Sequence, residues 1–377
     1  MSIDPNMNYD VAIVGAGMAG ASIASEVAEH CSVIILEAED QPGHHSTGRS
    51  AAFWTESYGG PKVQPLTTAS FDFLNDPPSS FSETGFLTKR RAVNIARTGE
   101  AHLVQDFLAE FAGSGVTMIP WGLDEITANV PNLKPGWDQA VYEPKCCDID
   151  VAGLHMAYLR AAKRKGVTLS CKSPVEKLEQ AEGAWMITSG ANIIRAGKII
   201  NAAGAWAGEV AKLAGAMPID IQPMRRTMVQ LSTNPPSTPD MPLVVALDGS
   251  FYFKPEAGGS YWLSPHDETP VDPCDAAPEE WDVAVAIDRF QSIMDVEIRS
   301  VTRKWAGLRS FAPDRLPVYG FDPVEPGFFW FAGQGGFGIQ TAPAAAKLAK
   351  SIFLDREREA SVRSIDAALY DPVRFAG

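Results

Sequence analysis

The sequence is poor in cysteine and has no long hydrophobic run. Its few cysteines lack CxxC spacing, so they indicate neither a disulfide framework nor a zinc site; they are Cys31, Cys146, Cys147, Cys171 and Cys274. No stretch approaches the roughly 18–20 uninterrupted apolar residues of a membrane-spanning helix. The first residues, Met1–Pro5, lack the basic start and apolar run of a signal peptide. We therefore expect a cytoplasmic protein without a transmembrane segment.

Positive charge is also scarce. The chain has 32 Lys and Arg residues and 46 Asp and Glu residues, which gives a net charge of −14. An acidic surface repels phosphate backbones, so we expect no nucleic-acid partner. Hydrophobic residues make up 45% of the chain and charged residues 21%, which is typical of soluble globular proteins. A length of 377 residues allows two domains of roughly 100–200 residues each.

The N-terminal third begins with a pattern typical of a βαβ unit. Tyr9–Val14 is a short apolar run that ends in glycines, as buried parallel strands often do. Met18–His30 is rich in alanine with helical spacing, and Val33–Leu36 is a second apolar run. Further strands are predicted at Gly166–Leu169, Ile193–Ala202 and Phe328–Phe331, and further helices at Ala152–Lys165, Ala205–Leu213 and Pro343–Leu354.

The turn between the first strand and helix is Gly15–Gly20 (GAGMAG). In a dinucleotide-binding fingerprint Gly15 permits the tight turn, Gly17 lets a pyrophosphate approach the backbone, and Gly20 lets helix and strand pack closely. The helix N-terminus offers free N–H groups to the phosphates. Glu37 ends the second strand at the spacing of the acidic residue that binds ribose hydroxyls. The alternative is a glycine turn that merely links strand and helix.

A second glycine-rich passage near the C-terminus distinguishes a flavin from a nicotinamide. Phe328–Phe331 is followed by Gly333–Gly338 (GQGGFG) and by a helix that opens near Thr341. A second helix N-terminus would suit the N1–C2=O edge of a flavin, which becomes anionic when reduced. The alternative is a glycine-rich loop without function.

Between these α/β segments lie two stretches, 51–145 and 221–325, that are rich in Pro, Trp and Phe. The second contains β-like runs at Thr227–Leu231, Ser250–Phe253 and Tyr261–Leu263. We therefore predict an α/β fold class in which a Rossmann-like, cofactor-binding domain is interleaved with a β-sheet-rich substrate domain of α+β type. The first comprises residues 1–50, 146–220 and 326–377, and the second residues 51–145 and 221–325.

Four motifs together resemble the D-amino-acid oxidase family of flavoproteins, which also holds the glycine and sarcosine oxidases. They are Gly15–Gly20 with Glu37, Asn201–Trp206 (NAAGAW), Trp305–Arg309 (WAGLR) and Gly333–Thr341 (GQGGFGIQT). Gln41–Ala52 (QPGHHSTGRSAA), Ser250–Pro255 (SFYFKP) and the Gly333–Thr341 loop resemble the bacterial D-arginine dehydrogenases more closely. The resemblance spans nearly the whole chain.

The resemblance implies FAD at the interface of the two domains, with Ser50 and Ala51 beside the flavin and the backbone of Val175 at the adenine. The cysteine by which sarcosine oxidases hold flavin covalently has no counterpart near Leu308–Phe311, so we expect non-covalent FAD. The implied cofactor-binding residues are Gly15, Gly17, Met18, Ala19, Gly20, Glu37, Ala38, His45, Ser46, Thr47, Arg49, Ser50, Ala51, Val175, Ala203, Gly204, Trp206, Gly307, Arg309, Gly333, Gly335, Gly336, Phe337, Gly338, Ile339 and Gln340.

Arg309 is the strongest candidate for binding a substrate carboxylate. An arginine inside the apolar run Trp305–Phe311 is costly to bury without an anion, and its guanidinium fork suits a carboxylate. The resemblance implies that it holds the substrate carboxylate over the flavin and that Tyr252 binds the same group. The alternatives are a structural ion pair for Arg309 and a packed aromatic ring for Tyr252.

Other candidate site residues follow from the resemblance. Arg225 and Arg226 are neighbours on a β run, so only one of them can point into the pocket, and the resemblance favours Arg226. Thr55 and Tyr58 match polar residues on an active-site loop, where Tyr58 binds the substrate amine, excludes water, or simply packs in the core. Gly336 and Gln340 belong to a loop whose backbone carbonyl can orient the amine.

The substrate pocket departs from the D-arginine dehydrogenase pattern at three positions. Ala92 stands where the resemblance implies a glutamate that meets a cationic side chain, Phe53 replaces a histidine and Leu243 replaces a methionine. A basic substrate would then bury an unpaired cation, and Arg90 or Arg91 would repel it if either turned inward. A pocket with Phe53, Leu243 and Val245 fits apolar or aromatic D-amino acids better, while Arg91 leaves room for an acidic or carboxamide side chain.

The histidines show no metal spacing. His44 and His45 are adjacent and cannot both face one ligand from an extended backbone, so we expect no metal site.

The sequence thus predicts FAD-dependent oxidation of a D-amino acid to an imino acid, which hydrolyses to a 2-oxo acid and ammonia. Hydride passes from Cα to flavin N5, and an electron acceptor (oxygen, a quinone or another carrier) reoxidises the flavin. Alternative substrates are secondary or N-methyl amino acids and 2-hydroxy acids. A redox-sensing flavoprotein without turnover is disfavoured, because a sensor needs no carboxylate clamp of the kind that Arg309 and Tyr252 would form.

Overall fold

The computed structural model describes residues 8–376, so the N-terminal segment used to judge a signal peptide lies outside the described residues. The helices are α1 Met18–Val27, α2 Gln64–Asn75, α3 Ala101–Glu110, α4 Leu123–Asn129, α5 Val151–Arg164, α6 Ala207–Ala214, α7 Glu280–Ile293 and α8 Ala342–Phe353. The strands are β1 Asn8–Val14, β2 Val33–Leu36, β3 Phe53–Trp54, β4 Leu87–Lys89, β5 Ala92–Ala96, β6 Ile119–Trp121, β7 Gln139–Glu143, β8 Cys147–Ile149, β9 Thr168–Ser170, β10 Lys177–Ala181, β11 Ala184–Ser189, β12 Asn192–Asn201, β13 Gln222–Asn234, β14 Leu243–Ala246, β15 Tyr252–Glu256, β16 Ser260–Ser264, β17 Thr269–Pro270, β18 Glu297–Phe311, β19 Val318–Phe321, β20 Phe328–Ala332 and β21 Gln334–Gly335.

An eight-stranded sheet carries the predicted βαβ unit. Its main order is β10-β11-β12-β1-β2-β9, and β20 pairs with both β12 and β19. Strand β1 runs parallel to β12 and β2, and its apolar residues are buried because helices cover the sheet. Helix α1 ends at Val27, before the predicted end at His30, because Glu29 and His30 are exposed and bury nothing.

A ten-stranded sheet forms the second layer and has the main order β21-β18-β13-β16-β15-β14-β5-β7-β6. The long strands β13 and β18 pair antiparallel, and a core that includes Phe253, Tyr261 and Phe290 lies between this sheet and α7. The mixed α/β architecture is confirmed. Two short strands do not follow the predicted domain bounds. Strand β19 was expected in the substrate domain but pairs within the first sheet, and β8 was expected in the cofactor domain but pairs with β3 and β4.

The arrangement leaves a cleft between the two sheets, at the carboxyl ends of β1 and β2, where ligands of open α/β sheets bind. Within residues 8–376, the helices are all too short or too polar to cross a bilayer.

Candidate active site

A cavity of about 510 Å³ runs along this cleft from Glu37 to Arg309. Glu37 is buried, and its carboxylate accepts hydrogen bonds from the backbone N–H of Ala16 at 2.7 Å and of Glu39 at 3.0 Å. These bonds fix the carboxylate at the cavity wall, where the ribose hydroxyls of a dinucleotide would lie. A carboxylate there would repel a 2′-phosphate.

Each glycine of the first turn is needed for a different structural reason. Gly15 has a φ of +98°, and a Cβ on it would lie 2.6 Å from the carbonyl oxygen of Ala202. A Cβ on Gly20 would lie 1.9 Å from the carbonyl oxygen of Gly15, so Gly20 serves the contact between α1 and the turn. Gly17 precedes α1 and lines the cavity, which leaves its backbone open to a phosphate.

Most of the implied FAD-binding residues line this one cavity. They are Gly15, Gly17, Met18, Ala19, Glu37, Ala38, His45, Ser46, Thr47, Arg49, Ser50, Ala51, Val175, Ala203, Gly204, Trp206, Gly307, Arg309, Gly335, Gly336, Gly338 and Ile339. The elongated shape, the fixed ribose-side carboxylate and the open glycine turn fit a bound FAD.

Four implied FAD residues lie outside the cavity wall. Gly20 packs against Gly15, and Gly333 forms a turn with a φ of +72° after β20. Phe337 is buried in the apolar core, where its ring packs edge-on against Tyr58. Gln340 donates to the Tyr58 carbonyl oxygen, and its own Oε1 accepts from the Thr55 N–H. Gly20, Gly333 and Phe337 shape the site from behind, and Gln340 lines a second, neighbouring cavity.

Arg309 lies where the large cavity meets a second one, and it lines both. Its Nη1 donates to the Tyr58 hydroxyl at 2.7 Å, and its Cζ lies 5.8 Å from the centre of the Tyr58 ring. Among residues 8–376 no carboxylate lies within ion-pair distance of this guanidinium. A half-buried cation that lines a cavity and lacks a carboxylate partner is suited to bind an anion. A Cβ on Gly336 would lie 1.9 Å from the Tyr58 hydroxyl, so glycine is required for this contact.

Arg226 extends from β13 on the same face as Arg309, because it pairs with Gly307, two residues from Arg309 on β18. Its Nε donates to the Asp267 carbonyl oxygen at 2.6 Å, its Nη2 to Glu268 at 3.0 Å, and its buried Nη1 has no hydrogen-bond partner in the described part of the chain. Burial, and then the nearby Arg309 charge, lower the pKa of Arg226 to about 10. Arg226 therefore adds a second guanidinium group to the part of the cavity wall that holds Arg309.

Arg225, also expected in the substrate pocket, lies on the opposite face of β13 and lines neither cavity. Its guanidinium pairs with Glu279 and, at 2.9 Å, with Asp282 on α7. Arg225 points away from the cavities because neighbouring side chains on a strand point to opposite faces. It therefore forms a contact between the sheet and α7.

The second cavity, of about 200 Å³, brings together the remaining candidate substrate residues: Phe53, Thr55, Tyr58, Ala92, Leu243, Val245, Tyr252, Gly336 and Gln340. Its floor is one face of the ten-stranded sheet. There Leu243 pairs with Ala92, and Val245 pairs with Asn94 on one side and with Tyr252 on the other. Directly paired residues point to the same face, so these side chains share one pocket.

Glu143 lines the second cavity and was not anticipated from the sequence. Its Oε1 accepts hydrogen bonds from Asn94 at 2.8 Å and from Ser57 at 2.7 Å, and its Oε2 accepts from Thr55 at 3.0 Å. Burial raises the pKa of Glu143 despite these three side-chain donors and the backbone N–H of Ser57, which lower it. In the sequence Glu143 is marked only by its place at the end of the run Gln139–Glu143. The pairing of this run with β5 cannot be recognised from the neighbouring residues.

His266 also lines the second cavity, although it appeared isolated in the sequence. Its Nδ1 lies 2.6 Å from the Gly249 carbonyl oxygen, and its ring meets that of Tyr252 edge-on at 5.7 Å. Burial, followed by the charges of Arg226 and Arg309, lowers the pKa of His266 to about 3. The imidazole is therefore neutral near pH 7, and Nδ1 carries the proton that bonds Gly249.

His44 and His45 do not lie on the extended backbone that was expected from the sequence. The segment is instead a turn, and Glu39, His44 and His45 each place one donor atom within 4.8 Å of the others. His45 lies 2.8 Å from Glu39 and also faces the large cavity. The expected extended backbone is therefore wrong, while the absence of a metal stays a prediction.

Comparisons with known proteins agree with this geometry. A family model described as FAD dependent oxidoreductase (DAO) matches residues 10–352. Glycine oxidase of Pseudomonas putida is 23% identical over 97% of this chain and 99% of the relative, and hydrogen cyanide synthase subunit HcnC of Pseudomonas aeruginosa is 23% identical over 98% and 97%.

Among solved structures, glycine oxidase from Geobacillus kaustophilus superposes with a TM-score of 0.84 at 23% identity and covers 98% of this chain and 100% of that one. L-proline dehydrogenase from P. horikoshii gives 0.84 at 20% identity, with 98% of each chain covered. These likenesses confirm the fold. The finer resemblance to D-arginine dehydrogenases stays a prediction. The family match and the cavity together lead to one conclusion: the chain belongs to the DAO family of FAD-dependent oxidoreductases, with an amino-acid oxidase-type fold.

Proposed function

We propose that the protein oxidises the Cα–N bond of a primary D-amino acid with FAD as the hydride acceptor. The observation that carries the proposal is Arg309, a half-buried guanidinium without a carboxylate partner among the described residues, at the junction of the cofactor and substrate cavities. Bound FAD supplies the hydride acceptor. The amino acid loses a hydride from Cα and a proton from nitrogen, and water then converts the imino acid to a 2-oxo acid and ammonia.

The side chains around Arg309 have different roles in substrate binding. Arg309 and Tyr252 bind the substrate carboxylate, with Arg226 adding positive charge to the same wall. Tyr58 holds Arg309 in place through its hydroxyl and closes the cavity toward Gly336. His266 stays neutral beside Tyr252 and so adds no competing charge. The protein thus contributes position and charge rather than an obvious general base.

The pocket walls support a substrate with an apolar stem. Phe53, Leu243 and Val245 line the second cavity. Arg90 and Arg91 do not line it, because Arg90 pairs with Asp148 and Arg91 donates to Asn129 and to the Asp240 carbonyl oxygen. Arg90 and Arg91 therefore do not repel a basic side chain in this pocket. The D configuration is proposed from the resemblance to D-arginine dehydrogenases.

Anaerobic mixing tests the proposal. The purified holoprotein is mixed with D- and L-enantiomers of a panel of amino acids, with N-methyl amino acids and with 2-hydroxy acids, and bleaching of the flavin absorption is followed. We expect bleaching by D-amino acids, and ammonia and a 2-oxo acid as products. Bleaching only by N-methyl amino acids, with methylamine released, or only by 2-hydroxy acids would replace this proposal with one of those alternatives.

A further inference from the structure

Among residues 8–376, Glu143 is the one carboxylate that lines the substrate cavity, and it lies at the part farthest along the sheet from Tyr252. Glu143 on β7 pairs directly with Ala92 on β5, and cross-strand partners have Cβ atoms about 4.5–5.5 Å apart. The strand order is β15-β14-β5-β7, so β7 lies three strands from Tyr252, or about 14 Å at roughly 4.8 Å per strand. A substrate whose carboxylate binds Tyr252 and Arg309 therefore turns its side chain toward Glu143.

The hydrogen bonds of Glu143 leave room for one more donor. Asn94 and the Ser57 hydroxyl both bond to Oε1, whereas the Thr55 hydroxyl is the side-chain donor to Oε2 among residues 8–376. A carboxylate can accept about four hydrogen bonds, two on each oxygen. The three donors are neutral, and no Lys or Arg in residues 8–376 forms an ion pair with Glu143. This buried carboxylate thus lacks a counter-charge of its own.

We propose that Glu143 is a specificity-determining residue and that it selects substrate side chains that end in a cationic N–H donor on an apolar stem. The stem passes Phe53, Leu243 and Val245, and the cation completes the coordination of Oε2. The expectation that basic side chains are disfavoured rested on the lack of a carboxylate at position 92. Glu143 supplies one from the neighbouring strand, so the expected order of substrates is reversed.

This inference rests on the proposed amino-acid oxidation, and an isosteric substrate pair tests it separately. D-ornithine and D-norleucine have side chains of equal length that end in an ammonium and a methyl group, respectively. In the holoenzyme we expect a higher kcat/KM for D-ornithine. Glu143→Gln should lower the ratio of the two values by about 30-fold or more, the size expected when one partner of a buried charge pair is removed.

Two further variants make the test independent of folding defects. Glu83→Gln changes an exposed carboxylate outside the cavity and should leave the ratio unchanged. Ala92→Glu combined with Glu143→Gln moves the carboxylate across the strand pair and should restore part of the ornithine preference.

A wild-type enzyme that prefers D-norleucine, or a Glu143→Gln enzyme with bound FAD and an unchanged ratio, overturns the role of Glu143. The wild-type comparison applies even if the variant fails to fold. Failure of every D-amino acid to bleach the flavin is a different result, because it overturns the proposed function itself.

Discussion

Replacing Arg309 with methionine isolates the proposed carboxylate clamp. Methionine keeps the apolar stem of the side chain and removes the guanidinium, which lines the cavity and bonds Tyr58 at 2.7 Å. Removing Arg309 as a partner of the substrate carboxylate costs about 3–5 kcal/mol, the range measured when one partner of a buried charge pair is removed. That free energy corresponds to a decrease in kcat/KM of about 10²–10⁴-fold.

The assay is anaerobic flavin reduction by the best D-amino acid, with FAD content measured from the absorption spectrum of each variant. Arg299→Met is the matched control, since Arg299 is exposed on the same strand, β18. We expect Arg309→Met to retain FAD and lose activity, and Arg299→Met to behave as wild type. Unchanged kinetics of Arg309→Met on every active substrate would remove Arg309 from the site and refute the reasoning.

Three other predictions address the cofactor and the pocket. Glu37→Ala and Gly17→Val should weaken FAD retention, through lost ribose bonds and a crowded backbone, and equilibrium dialysis of the holoprotein measures this. Acid precipitation should release intact FAD, and pigment that stays with the protein would contradict non-covalent binding. His266 has a folded pKa of about 3, below its unfolded value of about 6.5, so the unfolded state binds the extra proton and stability falls as pH drops through this window. Between neutral pH and pH 5, the neutral His266 lowers the free energy of unfolding by about 2 kcal/mol. In urea unfolding, His266→Asn should therefore lose about 2 kcal/mol less stability than the wild type over this range. An unchanged pH dependence would show that His266 is not held neutral.

The cofactor half of the site could be predicted because its signals are local. A glycine turn between two apolar runs fixes β1, α1 and β2 within a short stretch of chain, and Val33–Leu36 is found with the predicted bounds. Glu37 follows directly from the end of β2. Local chain geometry therefore suffices to place a carboxylate beside the glycine turn.

The substrate half could be predicted only where one residue type is conspicuous. Arg309 stands out in an apolar run, and strand alternation separates Arg226 from Arg225. Glu143 does not stand out, because its role depends on the pairing of β5 with β7, two strands that are far apart in the sequence. The same limit applies to His266, which reaches the cavity from a left-handed backbone conformation with a φ of +57°. Contacts made by non-local pairing leave little trace in a single sequence.

The charges of the cavity also bear on the direction in which a substrate binds. Arg309 and Arg226 are at one end and Glu143 is at the other, so an amino acid can bind in only one direction without placing its carboxylate against another carboxylate. Two held ends leave the amino group and the hydrogen of Cα free to exchange places, so these charges alone accept both enantiomers. On the proposed function, the distribution of charge along the pocket therefore selects the side chain, and selection of the configuration requires a third contact, at the amino group.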